Sequence, residues 1–229
     1  MRTIIHIGQH KTGTTSLQHY LQSQREPLAR AGLYVPDTLL GFDNPSHFLL
    51  NVYALDPQRE STAKLQLRET TDPAFFEGLG ERLQEAIAGH YQQARSLGCR
   101  DILWTNEGLY LLDSDTEYQR LRQLFVDFSS HIACVCCFRD RDSFLASYRR
   151  QLLDQGMPLS TDPSSYRYVE ADSWLVDYTR KRSLLSGVFD EVLELEYQPQ
   201  DMIRPFMTAL GYAADPTQAN LRLNTSNEP

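Results

Sequence analysis

The sequence predicts a three-layer α/β fold, with a central, mostly parallel sheet flanked by helices. Two observations predict it. Short apolar runs, several rich in β-branched residues, alternate along the chain with segments of helical periodicity. The first three strand-like runs are near-continuously apolar, as strands covered on both faces are. The chain has 229 residues, enough to bury a sizeable core without disulfide or metal. No repeat, low-complexity stretch or linker divides it, so one domain over residues 1–229 is expected.

Residues 3–7 read as the first buried strand and 8–13 as a loop. A helix begins at Thr14, with Leu17, Tyr20, Leu21 and Leu28 on one face and Gly32 as its stop. Pro27 inside that pattern predicts a kink or an earlier end. The stretch 33–63 is poorly periodic and reads as loop with short helix. Asp72-Pro73 reads as the cap and first residue of a helix running through Leu83, Ile87 and Tyr91 to Gly98. Strands follow at 102–105, 132–138 and 192–196. Helices are expected at 116–129, 141–155, 164–186 and 201–210, the last stopped by Gly211. The polar tail 213–229 reads as loose.

Apolar residues make up 41% and charged residues 23%, as in ordinary globular proteins. A net charge of −8 argues against a nucleic-acid binder, which would show a basic face. A local anion site remains possible, because it needs only a few donors and cations. Cys134, Cys136 and Cys137 lie in one apolar run with only Cys99 elsewhere. That spacing lacks the second pair a zinc site needs, so reduced core thiols are expected and no metal. The N-terminal apolar run is too short for a signal peptide, and no stretch approaches a membrane span. A cytoplasmic location is expected.

The most informative segment is Gly8-Gln9-His10-Lys11-Thr12-Gly13-Thr14-Thr15-Ser16, between a strand and a helix. A helix N-terminus offers unpaired N–H groups and the positive end of the dipole. Gly13 permits close approach of an anion, the hydroxyls of Thr12, Thr14, Thr15 and Ser16 add donors, and Lys11 adds charge. This is a cradle for phosphate or sulfate, though a ligand-free Thr-rich helix cap has the same look. It is not a Walker A loop, in which the lysine directly follows the second glycine; here Lys11 precedes Gly13. A second constellation follows the third expected strand: Arg139 at the strand's C-terminal end, where α/β sheets bind ligands, and Ser147 about two helical turns on. Arginine suits phosphate because its planar fork donates two parallel hydrogen bonds. A salt bridge to Asp140 or Asp142 is the alternative role for Arg139.

The pattern HIGxxKTGTTSLQ after an N-terminal strand resembles the 5′-phosphosulfate loop of sulfotransferases that use 3′-phosphoadenosine 5′-phosphosulfate (PAPS), in their bacterial and carbohydrate-type branch. The resemblance implies a P-loop-like fold and transfer of a sulfuryl group from PAPS to an acceptor hydroxyl, leaving PAP. It implies that Thr12, Gly13, Thr14, Thr15 and Ser16 hold the 5′-phosphate and that Lys11 stabilises the leaving group. That family carries an arginine after this strand and a serine eight residues later, both on the 3′-phosphate; Arg139 and Ser147 reproduce the spacing. No metal is required.

A base must take the acceptor's proton. Glu107, at the end of the second long strand, matches the glutamate of the carbohydrate-type branch. His47 is the alternative base or a substrate contact, and an ordinary loop histidine otherwise. His10 is placed to touch the transferring sulfate, and His6 reads as a satisfied strand residue. Tyr197, after the late strand, is a candidate to pack on adenine, or an edge aromatic of the core. The Gly-rich C-terminal segment that covers the 3′-phosphate in cytosolic members has no counterpart. Residues 33–67 and 155–168 are expected to shape a pocket for a small-molecule or glycan acceptor. Two rivals remain: a P-loop small-molecule kinase, and a non-catalytic module that binds PAP or PAPS.

Overall fold

The computed structural model describes residues 1–42 and 46–217. The expected loose tail therefore lies outside the described residues beyond position 217. Among these residues five strands form one sheet: β1 (Arg2–Gly8), β2 (Leu33–Tyr34), β3 (Asp101–Thr105), β4 (His131–Phe138) and β5 (Glu191–Glu196), in the order β2-β3-β1-β4-β5. Every pairing is parallel, as the alternation of strands and helices predicts. β2 is the strand that sequence reading missed. It is two residues long, too short for any period to show.

Alternation along the strands divides the core. Ile5, Ile7, Ile102, Trp104, Ile132, Cys134 and Cys136 face one side. They pack beneath α5 (Leu79–Ser96) through Leu83, Ile87 and Tyr91. Ile4, Leu103 and Val135 face the other side. There they meet α1 (Thr14–Ser23) and the last described helix (Ile203–Leu210). All four cysteines are buried free thiols, and burial pushes the Cys137 thiol up to about 12. They are core residues, as the apolar run predicts.

Several boundaries differ from the expected ones, each for a local reason. The first helix ends at Ser23, and α2 (Arg25–Arg30) restarts after Gln24. Pro27 has no N–H for the Ser23 carbonyl, and its ring would crowd that carbonyl; in the first turn of a new helix neither matters. The single helix expected from Asp72 is two pieces. Asp72 caps a 3₁₀ turn at Pro73–Phe76, and Gly78, at φ 60°, separates it from α5. The stretch 33–63 contains α3 (Leu49–Ala54), and α4 (Thr62–Thr70) starts at its end, capped by Ser61. The helix expected at 116–129 is the shorter α6 (Asp115–Gln123), capped by Ser114. α7 (Arg141–Asp154) is capped by Asp140, whose carboxylate accepts from the Ser143 N–H at 3.0 Å. The helix expected at 164–186 is irregular until Asp177 caps α8 (Tyr178–Val188). The part before it is tied down by polar bonds, such as the Ser173 hydroxyl donating to the Tyr168 carbonyl at 2.7 Å. The last helix becomes α9, ended by Gly211 at φ 84° as read.

A candidate anion cradle beside a candidate acceptor cavity

The chain leaves the sheet centre on one side of β1 and returns on the other, so β1 and β4 flank the switch point. Ligands of open α/β sheets bind in the crevice at the strand C-termini there. The loops after these two strands meet at that place. The Gln9 N–H donates to the Cys137 carbonyl at 3.1 Å, and the Gln9 side-chain oxygen accepts from the Arg139 N–H at 3.1 Å. Arg139 then donates through its guanidinium to the Lys11 carbonyl at 3.0 Å. Two cationic residues 128 positions apart thus share one rim of the crevice.

Within the loop, Lys11 has φ 63°, and Gly13, at φ 76°, is the N-cap of α1. No side chain caps α1. Gly13 has no side chain to accept from the first turn, so the Thr14 and Thr15 amides open the helix without an N-cap acceptor. Thr12 is placed differently from the expectation. Its hydroxyl donates to the Gln9 carbonyl at 2.6 Å and is buried, so Thr12 shapes the loop and only its backbone is left to face an anion. Burial lowers the Lys11 pKa, and the Arg139 guanidinium lowers it further, against the pull of Asp154. A bound anion would relieve that repulsion.

Arg139 packs over the Tyr197 ring, 5.0 Å from its centroid, instead of pairing with Asp140, which is the α7 cap. The Tyr197 N–H continues the β4 edge by donating to the Phe138 carbonyl at 2.9 Å. Tyr197 is thus a platform for the guanidinium. Ser147 lies half-buried on α7, one residue before Tyr148.

Glu107 opens a 3₁₀ turn (Glu107–Leu111) directly after β3. Gly8 seats it: a Cβ there would lie 3.0 Å from the Glu107 Cα and 3.1 Å from its Cβ. Gln18, on α1, donates from Nε2 to Glu107 Oε2 at 2.6 Å. Sequence reading missed Gln18, although a signal existed. It is a polar residue inside the buried stripe Leu17, Gln18, Tyr20, Leu21, and a polar side chain at a core position points to function. It missed Gln9 too, for which no local signal exists, since its partners lie on β4 and α8.

Glu107, Gln18 and His10 line a cavity of about 710 Å³. Its other walls come from Phe42 and residues 46–70, from the segment after β3, and from the second half of α7 with Gln155. His10 Nδ1 is buried without a partner, and the ring lies 5.4 Å from that of Tyr148. Burial lowers the His10 pKa, Glu107 opposes this and Lys11 adds to it, so the imidazole is neutral near pH 7.

His47 does not share this wall. It is buried, Nδ1 accepts from the Thr105 N–H at 3.0 Å, and Nε2 donates to the Pro36 carbonyl at 3.2 Å. Both ring nitrogens are committed, and burial lowers its pKa to about 4. The expectation of His47 as a base is corrected on that ground: no lone pair is left for a substrate proton. His6 is a satisfied strand residue, hydrogen-bonded through Nδ1 to Thr105 Oγ1 at 2.8 Å.

Among the described residues no group of three or more His, Cys, Asp or Glu could hold a metal ion, and no helix is long and apolar enough to cross a membrane.

No protein-family model matches the chain, and no curated sequence is similar to it. A solved structure does share its architecture. A sulfotransferase from Alicyclobacillus acidocaldarius superposes with TM-score 0.57 at 14% identity, covering 100% of this chain and 87% of that one. The sulfotransferase domain from the curacin biosynthetic pathway gives TM-score 0.49 at 14% identity, covering 95% of this chain and 76% of its own. The first likeness defines the class by architecture: an α/β protein with the sulfotransferase type of P-loop-like fold. At this identity the likeness is one of fold.

Proposed function

We propose that this protein transfers a sulfuryl group from PAPS to a hydroxyl of a small-molecule or glycan acceptor. One observation carries the reading: the β1 and β4 loops bring Lys11 and Arg139 into contact at the switch point, and the β1 loop also reaches, through His10, the cavity that Glu107 lines. The donor set suits a bisphosphorylated nucleoside. The α1 N-terminus, with the amides and hydroxyls of Thr14, Thr15 and Ser16, would hold one phosphate together with Lys11. Arg139 and Ser147 would hold the other. Tyr197 supports Arg139 and offers an aromatic edge for adenine.

When bound, PAPS supplies the sulfuryl group, with PAP as the leaving group. The Lys11 ammonium stabilises negative charge on the departing oxygen. Glu107 takes the acceptor's hydroxyl proton on Oε1, because Oε2 is held by Gln18. His10, neutral and in the cavity wall, orients the acceptor. Positioning and electrostatics supply most of the acceleration, as in phosphoryl transfer.

Calorimetric titration with PAP tests this. PAP should bind without magnesium, and Arg139→Ala should weaken binding by about 2–5 kcal/mol, the cost of unpairing a desolvated charge. Absence of PAP binding, or preference for ATP with magnesium, would overturn the reading in favour of a kinase. PAP binding with no turnover over a broad acceptor panel would favour a binding module.

A further inference from the structure

The charge pattern of the cavity beside Glu107 restricts what can enter it. Among the described residues no lysine or arginine lines it, and Glu107 is the one carboxylate. Lys64 sits on α4 within the same wall, but its ammonium turns away. It donates to the backbone carbonyls of Asp56, Pro57 and Arg59 at 3.0, 3.0 and 2.7 Å. Lys11 and Arg139 belong to the anion cradle. A carboxylate, sulfate or phosphate on the acceptor would therefore enter a partly desolvated cavity facing Glu107 with no cation to meet it.

What the wall does offer is acceptors and amides. Asn106 is 4% exposed. Its Nδ2 donates to Ser46 Oγ at 2.7 Å, which fixes Oδ1 as an acceptor, and Oδ1 is buried without a partner. Gly108 leaves room beside this atom, since a Cβ there would lie 2.8 Å from it. His10 Nδ1 is a second unpartnered polar atom in the same wall. A hydroxyl can donate to the Asn106 oxygen and to Glu107, whereas a carboxylate can only accept. Gln66, Gln151 and Gln155 add amides able to do both. Apolar surface comes from Phe42 and Phe48, which meet edge to face at 5.2 Å, and from Leu67 and Leu152.

We infer that the acceptor is an electrically neutral, hydroxyl-rich molecule with an apolar face, of the class of an alkyl or aryl glycoside. The inference rests on the sulfuryl-transfer reading above. The cavity is of the size that holds ligands of that scale.

The test is a pair of probes matched in shape, hexyl β-glucoside and hexyl β-glucuronide, titrated calorimetrically into the protein saturated with PAP. The glucoside should bind at least roughly 100-fold more tightly, as an uncompensated like charge costs several kcal/mol. Gln66→Lys, at an exposed position of α4, should narrow that ratio about tenfold or more, with PAP binding reporting that the variant is folded. Equal or tighter binding of the glucuronide overturns the inference, and so does binding of neither probe while PAP binds. Failure of PAP to bind strikes the sulfuryl-transfer reading itself.

Discussion

Gln18 contributes the amide that holds Glu107 by one oxygen, at 2.6 Å. On the proposed reading it is a positioning residue: it leaves one carboxylate oxygen pointing at the cavity and stops the side chain from wandering. Gln18→Leu keeps the bulk of a buried helix position and removes the donor. Turnover should fall roughly 10- to 100-fold, because small misplacements of a reacting group are costly, while PAP affinity stays within a factor of about two. A parallel loss of PAP affinity, or of thermal stability, would make Gln18 a structural residue of α1. Arg139 shows the same economy at the other loop, where one side chain binds the Lys11 carbonyl and stacks on Tyr197.

At the scale of elements, the decisive feature is how close β1 comes to the turn after β3. Gly8 has φ 106°, and any Cβ there meets the Glu107 backbone. Gly156 also has positive φ, at 70°, but with open space around its Cβ position. Gly156→Ala should therefore cost only about 1 kcal/mol in urea unfolding. Gly8→Ala should cost more, about 2–4 kcal/mol, and should also depress turnover by displacing Glu107. Equal costs at the two sites would show that the close approach carries no energetic weight. The helices follow similar local logic: Ser61, Ser114, Asp140 and Asp177 cap α4, α6, α7 and α8 with side-chain oxygens, each a modest contribution.

For the whole molecule, four histidines, His6, His10, His47 and His90, have pKa values lowered chiefly by burial. His6 and His47 fall from 6.5 to about 4. Between those values the unfolded chain takes up protons that the folded chain refuses, so stability is full above about pH 6.5 and falls as pH drops through the window. The urea midpoint should decline steadily from pH 6.5 to 4.5, before most carboxylates titrate. Each of the two contributes on the order of 3 kcal/mol by pH 4. A flat midpoint over that interval would mean that these rings protonate without leaving their sites.

Much of the molecule was legible along the chain. Near-continuous apolar runs marked three strands and an alternating run the fourth, Gly211 marked a helix end, and Lys11 to Ser16 marked a loop leading into a helix N-terminus. These are local consequences of periodicity, backbone freedom and unpaired amides, so they survive without neighbours. The sequence by itself determined the α/β class and the residues able to hold charge. Only the tertiary structure decided that the His47 lone pair is taken by the Thr105 N–H, that the Thr12 hydroxyl is used inside its own loop, and that Gln18 grips Glu107 from 89 positions away. The physical reason is that a side chain's free lone pairs and protons depend on which groups parallel strand pairing brings beside it, and that pairing joins segments with no local trace of one another.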